Sequence, residues 1–126
     1  MKKILLLEDN PIDADLVCRG ILLKWPAVEM IVVNHLAEAK QILTKDSSIE
    51  HAIFDLSLPD GNGLDLLSEL RASNNQLPII ILTGSGSEEI AIAALKDGAS
   101  NYISKKPGYH EIIPEQIEFA INHNLK

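Results

Sequence analysis

The chain has 126 residues, with 11 Lys and Arg against 18 Asp and Glu, a formal net charge of −7 and one cysteine. That length suits one domain whose core forms without staples, and the lone Cys18 cannot close an internal disulfide. The negative charge argues against direct binding to DNA or an anionic membrane surface. No apolar run approaches bilayer length, and the opening MKKILLLEDN is too short of apolar residues for a signal peptide, so a cytoplasmic location is expected.

Read from the N-terminus, Lys3–Leu7 is the first β-rich apolar run. Asn10 before Pro11 could then cap a helix that carries Ile12, Leu16 and Leu23 on one face. Met30–Val33 is the second strand, followed by Leu36, Ala39 and Leu43 at helical spacing. Ala52–Phe54 is the third; after the turn Asp60–Gly63 come Leu64, Leu67 and Leu70. Ile79–Leu82 precedes the Ala- and Ile-rich helix Glu88–Lys96. Tyr102–Ile103 precedes a last helix with Ile113, Ile117 and Ile121 on one face.

The pattern is (βα)5. Near-continuous apolar strands imply a sheet buried on both faces, and right-handed crossovers then favour a parallel, doubly wound α/β sandwich. For five strands the flavodoxin-like order 2-1-3-4-5 is the common solution, adopted here from known folds of this type. Residues 1–126 are expected to form one domain, with no room for an output domain.

Polar residues stand where successive strands end: Glu8 and Asp9 after the first, Asp55 after the third, Thr83 after the fourth, Lys105 after the fifth. In a parallel sheet these ends share one edge, and the winding reversal between the first and third strands opens a crevice there. Crowded carboxylates repel one another and call for a cation. An oxygen-only donor set suits a hard divalent ion such as Mg²⁺, which would also prepare Asp55 as a nucleophile toward phosphate. Lys105 and the Thr83 hydroxyl would bind the remaining phosphoryl oxygens.

The segments ILLLEDNP, FDLSLPDGNGLDLL, PIIILTGSG and GASNYISKK resemble, in order and spacing, the signature segments of response-regulator receiver domains, and the match spans essentially the whole chain. The resemblance is to stand-alone, chemotaxis-regulator-like members. It implies Asp55 as phosphoacceptor, Glu8 and Asp9 as the acidic pair, and the Ser57 main-chain carbonyl as a further ligand of Mg²⁺ or Mn²⁺. It also implies Thr83 and Lys105 as the phosphoryl-binding hydroxyl and cation, Gly84 as the small neighbour that leaves room for the group, and Tyr102 as the switching aromatic. Implied partners are a sensor histidine kinase or histidine phosphotransfer protein and a downstream protein target, and a phosphorylation-dependent homodimer is compatible with it. The readout face would be Glu88–Lys96, Asn101–Ser104 and Glu111–Asn122. No enzymatic activity is implied beyond self-catalysed phosphoryl transfer to Asp55 and its hydrolysis, whose rate family members tune at the positions of Ser57 and Ser85.

Two features depart from the family pattern. Glu8 stands where an aspartate is frequent, and its extra methylene changes how it can reach a metal. Lys105 is followed by Lys106 before Pro107, and because a non-proline cis bond costs about 2.5–4 kcal/mol, a trans Lys105–Lys106 bond is expected. Lys106 competes for the phosphoryl-binding role, but the spacing of three from Tyr102 favours Lys105.

Plainer readings apply elsewhere. Asp60, Asp65 and Glu88–Glu89 read as structural or solvated, His35, His51, His110 and His123 lack metal-ligand spacing, and Cys18 reads as a small buried apolar residue. Among rival functions, a nucleotide site would need GxxxxGK[ST], and a haloacid-dehalogenase-like phosphatase would need an aspartate at Ser57. A flavin site at Thr83–Gly86 would put the phosphate loop after the wrong strand. A degenerate receiver, binding partners without phosphorylation, is the remaining alternative.

Overall fold

The computed structural model describes residues 1–84 and 88–123. In chain order these form β1 (Lys3–Leu7), α1 (Pro11–Lys24), β2 (Glu29–Val33), α2 (Leu36–Lys45), β3 (His51–Asp55), β4 (Ser57–Leu58), β5 (Gly61–Asn62), α3 (Gly63–Ala72), β6 (Ile79–Thr83), α4 (Glu88–Lys96), β7 (Asn101–Ser104) and α5 (Tyr109–His123). The main sheet has order β2-β1-β3-β6-β7 with every pairing parallel. This is the expected 2-1-3-4-5 order once the two-residue hairpin β4–β5 is set aside.

The strands read as apolar runs because helices cover both faces. Leu5, Leu7, Ala52, Phe54, Ile79 and Ile81 pack with Ala39, Leu43, Leu67, Leu70 and Ala94 from α2, α3 and α4. On the other face Ile4, Leu6, Ile53, Ile80, Leu82 and Ile103 meet Val17, Ile21, Ile113 and Ile117 from α1 and α5. Leu36, Leu64 and Ile121 complete the expected helix faces as partly buried neighbours, and Cys18 is likewise partly rather than fully buried.

The face expected for α1 needs correction. Ile12 and Leu23 are 78% and 86% exposed, while the inward set is Ala14, Val17, Gly20 and Ile21. The segment is apolar nearly all round, so periodicity alone could not choose the face. Close approach to α5 chooses it: a Cβ on Gly20 would lie 2.5 Å from the His110 carbonyl oxygen. That carbonyl is the one Pro114, inside α5 and lacking an N–H, cannot serve with an i→i−4 bond. Small inward residues let α1 settle against it.

His51 begins β3 and is fully buried, with neither ring nitrogen hydrogen-bonded among the described residues. Burial pushes its pKa down from 6.5 to about 3, so the folded state holds it neutral. The unfolded chain takes up a proton below its ordinary pKa while the folded chain does not, so this residue's contribution is full above pH 6.5 and falls toward pH 3. At pH 5 the loss is about 2 kcal/mol, at 1.36 kcal/mol per unit. In urea unfolding, the stability at pH 5 relative to pH 7 should therefore be higher by about that amount in His51→Leu than in the wild type. An unchanged difference would mean that His51 is protonated in the fold.

Candidate functional site

The site is built at the carboxyl ends of β1, β3, β6 and β7. Register places Leu7 beside Phe54 and Asp55 beside Leu82, so Glu8 and Asp55 emerge from neighbouring strands at nearly one level. The ladder continues beyond the strands: Glu8 N–H donates to Val33 C=O at 2.9 Å, Leu56 N–H to Leu82 C=O at 3.0 Å, and Lys105 N–H to Thr83 C=O at 2.8 Å. Glu8, Asp55 and Thr83 are thereby buried polar residues at the rim of an apolar sheet, and Asp9 is exposed beside them.

Asn10 does double service. Its Oδ1 accepts from Ile12 N–H at 2.9 Å and Asp13 N–H at 3.2 Å, capping α1 as expected, while its own N–H donates to Glu8 Oε2 at 3.2 Å. Helix start and acid orientation are thus coupled. Below Asp55, Gly61 turns the β4–β5 hairpin at φ +146°, and Asp60 accepts from Leu36 N–H at 2.8 Å and Ala37 N–H at 3.2 Å. Asp60 is therefore structural, as expected. It caps α2, whose own N-cap His35 makes no side-chain capping bond, and those amides draw its pKa down.

One oxygen from each of Glu8, Asp9 and Asp55 lies within 4.8 Å of the others. Lys105 Nζ sits 2.6 Å from Glu8 Oε1, 3.3 Å from Asp13 Oδ2 and 3.4 Å from Asp55 Oδ2. Burial, reinforced by the Asp55 charge, pushes Glu8 up to about 7 against the pull of Lys105. Burial works against the charge on Lys105, yet the surrounding carboxylates raise its pKa and keep it an ammonium.

This chemistry fits a hard cation. Glu8, Asp13 and Asp55 share the Lys105 ammonium with Asp9 clustered beside them, every candidate donor is oxygen, and Glu8 Oε1, though ion-paired, is buried without a directed hydrogen bond.

The other expected site residues sit more loosely. Gly84 is exposed at the end of β6, and among the described residues a Cβ there would meet nothing within 4 Å. Ser57 lies in β4, opposite Asn62. Tyr102 is half-buried in β7 and packs with the α2–α3–α4 face of the core. Lys106 is exposed, and among the described residues no peptide bond is cis, including Lys105–Lys106. Ser85 and Gly86 lie outside the described residues.

Two participants were missed by sequence reasoning. Asp13, in the first turn of α1, contacts Lys105, and the Tyr109 hydroxyl donates to its Oδ1 at 3.0 Å. Neither carried a local signal, because Asp9 and Lys105 precede α1 and α5 and helical spacing does not relate them to Asp13 and Tyr109.

Comparison with known proteins points to one family. The family described as "Response regulator receiver domain" matches residues 4–115. The chain is similar to the Chemotaxis protein CheY1 of Helicobacter pylori strain J99, 30% identical over 97% of this chain and 98% of that one. It is also similar to the Chemotaxis protein CheY homolog of Campylobacter jejuni, 30% identical over 92% of this chain and 89% of the relative. A response regulator receiver domain protein from Clostridium thermocellum superposes with a TM-score of 0.81 at 32% identity, covering 97% of this chain and 95% of that one. The receiver domain of Francisella response regulator 1452, at 22% identity and TM-score 0.85, covers 99% of this chain and all of that one and shares the fold.

Gly63 tests how tightly the loop after Asp55 is held. A Cβ there would lie 2.5 Å from the Asp55 carbonyl oxygen and 3.4 Å from Phe54 Cβ, so Gly63→Ala should lower stability in urea unfolding by about 1–3 kcal/mol. No loss would show that the loop below Asp55 yields freely.

Proposed function

This chain belongs to the response-regulator receiver family of two-component systems, and from that premise we propose that it takes a phosphoryl group on Asp55 from the phosphohistidine of a sensor kinase or phosphotransfer protein. The observation that carries this reading is the placement of Asp55 at the end of a central strand, with its Oδ2 3.4 Å from Lys105 Nζ and the carboxylates of Glu8 and Asp9 beside it.

In the reaction an Asp55 carboxylate oxygen forms the new O–P bond as the donor's P–N bond breaks, and the electron pair stays with the leaving imidazole. Glu8, Asp9, Asp55 and the Ser57 main-chain carbonyl would hold a Mg²⁺ or Mn²⁺ ion. When bound, that ion screens the acceptor's charge and stabilises the charge of the transferring group. Lys105 supplies the fixed positive charge on the other side, and its raised pKa keeps it protonated throughout the physiological range. Thr83, at the end of β6, offers its hydroxyl to a phosphoryl oxygen, and Gly84, small and exposed, leaves room for the group.

Phosphorylation adds about 1.5–2 negative charges. Drawing Thr83 and Lys105 toward them biases α4 and the Tyr102 ring, which packs on the α4 side of the core. The surface that reports the change is α4, β7 and α5, which leaves Ile92, Leu95, Ile112 and Phe119 exposed for a downstream protein or a second copy of the chain. Residues 1–126 act on this reading as one receiver domain in the cytoplasm, without direct contact to DNA. No helix among the described residues is long and apolar enough to cross a membrane.

Incubation with acetyl phosphate and Mg²⁺ should add one phosphoryl mass to the protein. Chelation of the metal and the Asp55→Asn substitution should each abolish it. No increase in the wild type would favour a phosphorylation-independent binding module, and an increase that survives Asp55→Asn would place the acceptor elsewhere.

A further inference from the structure

We infer that Asp13 and Tyr109 form a positioning device for Lys105, a role that rests on the reading of Asp55 as acceptor. Lys105 carries its charge on a flexible four-carbon stem, so holding the ammonium at one place costs rotamer entropy unless a partner fixes it. Of its three acidic neighbours, Glu8 and Asp55 are the groups that a metal and a phosphoryl group would engage, so neither can hold the lysine throughout the reaction. Asp13 lies outside the clustered acids Glu8, Asp9 and Asp55 and is free to remain its partner.

Asp13 is itself held on two sides. Its N–H donates to Asn10 Oδ1 at 3.2 Å, which seats it in the first turn of α1. Its carboxylate oxygens are divided between two donors: Oδ1 accepts from the Tyr109 hydroxyl at 3.0 Å, and Oδ2 faces Lys105 Nζ at 3.3 Å. Tyr109 is only 5% exposed, so its hydroxyl would lose water without that acceptor, and as the first residue of α5 it is anchored by the α1–α5 packing described above. The chain of contacts runs from α5 through Tyr109 and Asp13 to the ammonium. It aims Lys105 at the Asp55 carboxylate before any phosphoryl group arrives. Asp13 and Tyr109 touch neither acceptor nor donor, and both act through Lys105.

The test combines kinetics with a readout that needs no phosphoryl transfer. Phosphorylation by acetyl phosphate at saturating Mg²⁺ should show a maximal rate lower by about ten-fold in Asp13→Asn, which keeps an acceptor for Tyr109 but loses the charge, and by a few-fold in Tyr109→Phe. The half-saturating acetyl phosphate concentration should stay unchanged. In a Lys105→Ala background Asp13→Asn should cost nothing further. A rate at or above wild type would overturn the inference, because that is the result if Asp13 acts only by repelling the incoming phosphate. An equal loss with and without Lys105 would overturn it as well. In parallel, NMR relaxation of the Lys105 ε-methylene should report greater mobility in Asp13→Asn than in wild type, and equal mobility would overturn the inference. If the wild-type protein takes up no phosphoryl group at all, the assignment of Asp55 fails, while the relaxation measurement still decides whether Asp13 holds Lys105.

Discussion

The site depends on one electrostatic constraint: several carboxylates gathered at the rim of an apolar sheet around the ammonium of Lys105. Glu8 and Asp55 are removed from most of their water, and Lys105 at 2.6 and 3.4 Å compensates only part of their charge. Burial first, and the Asp55 charge with it, pushes Glu8 up to about 7 despite that compensation. An arrangement of this kind is costly to the fold and useful to chemistry, because a divalent cation can relieve it.

The scaffold is what makes the crowding possible. A sheet buried on both faces has no freedom to slip in register, since a shift of one residue would exchange the sets that face α1–α5 and α2–α4. Register therefore fixes the level at which Glu8, Asp55, Thr83 and Lys105 leave their strands, and the backbone bonds beyond each strand extend that order by one more residue. Close contacts at Gly20 against His110 and at Gly63 against Asp55 fasten the helices to the same frame. Asn10 and Asp60 then tie two helix starts to the acidic loops, so the order of the site and the order of the fold are linked.

Much of this was legible in the sequence because the strands are continuous apolar runs and the polar residues stand at their ends. Ile4–Leu7 and Ile79–Leu82 could be read as two-face-buried strands without knowing what covered them. The face of α1 was not legible: with Ile12, Leu16, Val17, Ile21, Leu22 and Leu23 distributed around the helix, the choice belongs to the partner helix, where Pro114 and His110 shape the contact. The hairpin β4–β5 is too short to leave a pattern and appeared as a turn. Asp13 and Tyr109 were hidden for another reason, since their pairing spans 96 residues of sequence and depends on how α1 and α5 meet. His51 likewise gave no signal as a residue type; only the position of β3 in the sheet decides that its ring is wholly enclosed.

If Lys105 and a divalent cation share the task of compensating one acidic cluster, calorimetric titration of Mg²⁺ into the wild-type protein, Asp55→Asn and Lys105→Met should reveal it. A single site is expected, weakened in Asp55→Asn by loss of a ligand and tightened in Lys105→Met, where Glu8 is released from its ion pair. Binding that is indifferent to Asp55, or weaker without Lys105, would contradict it.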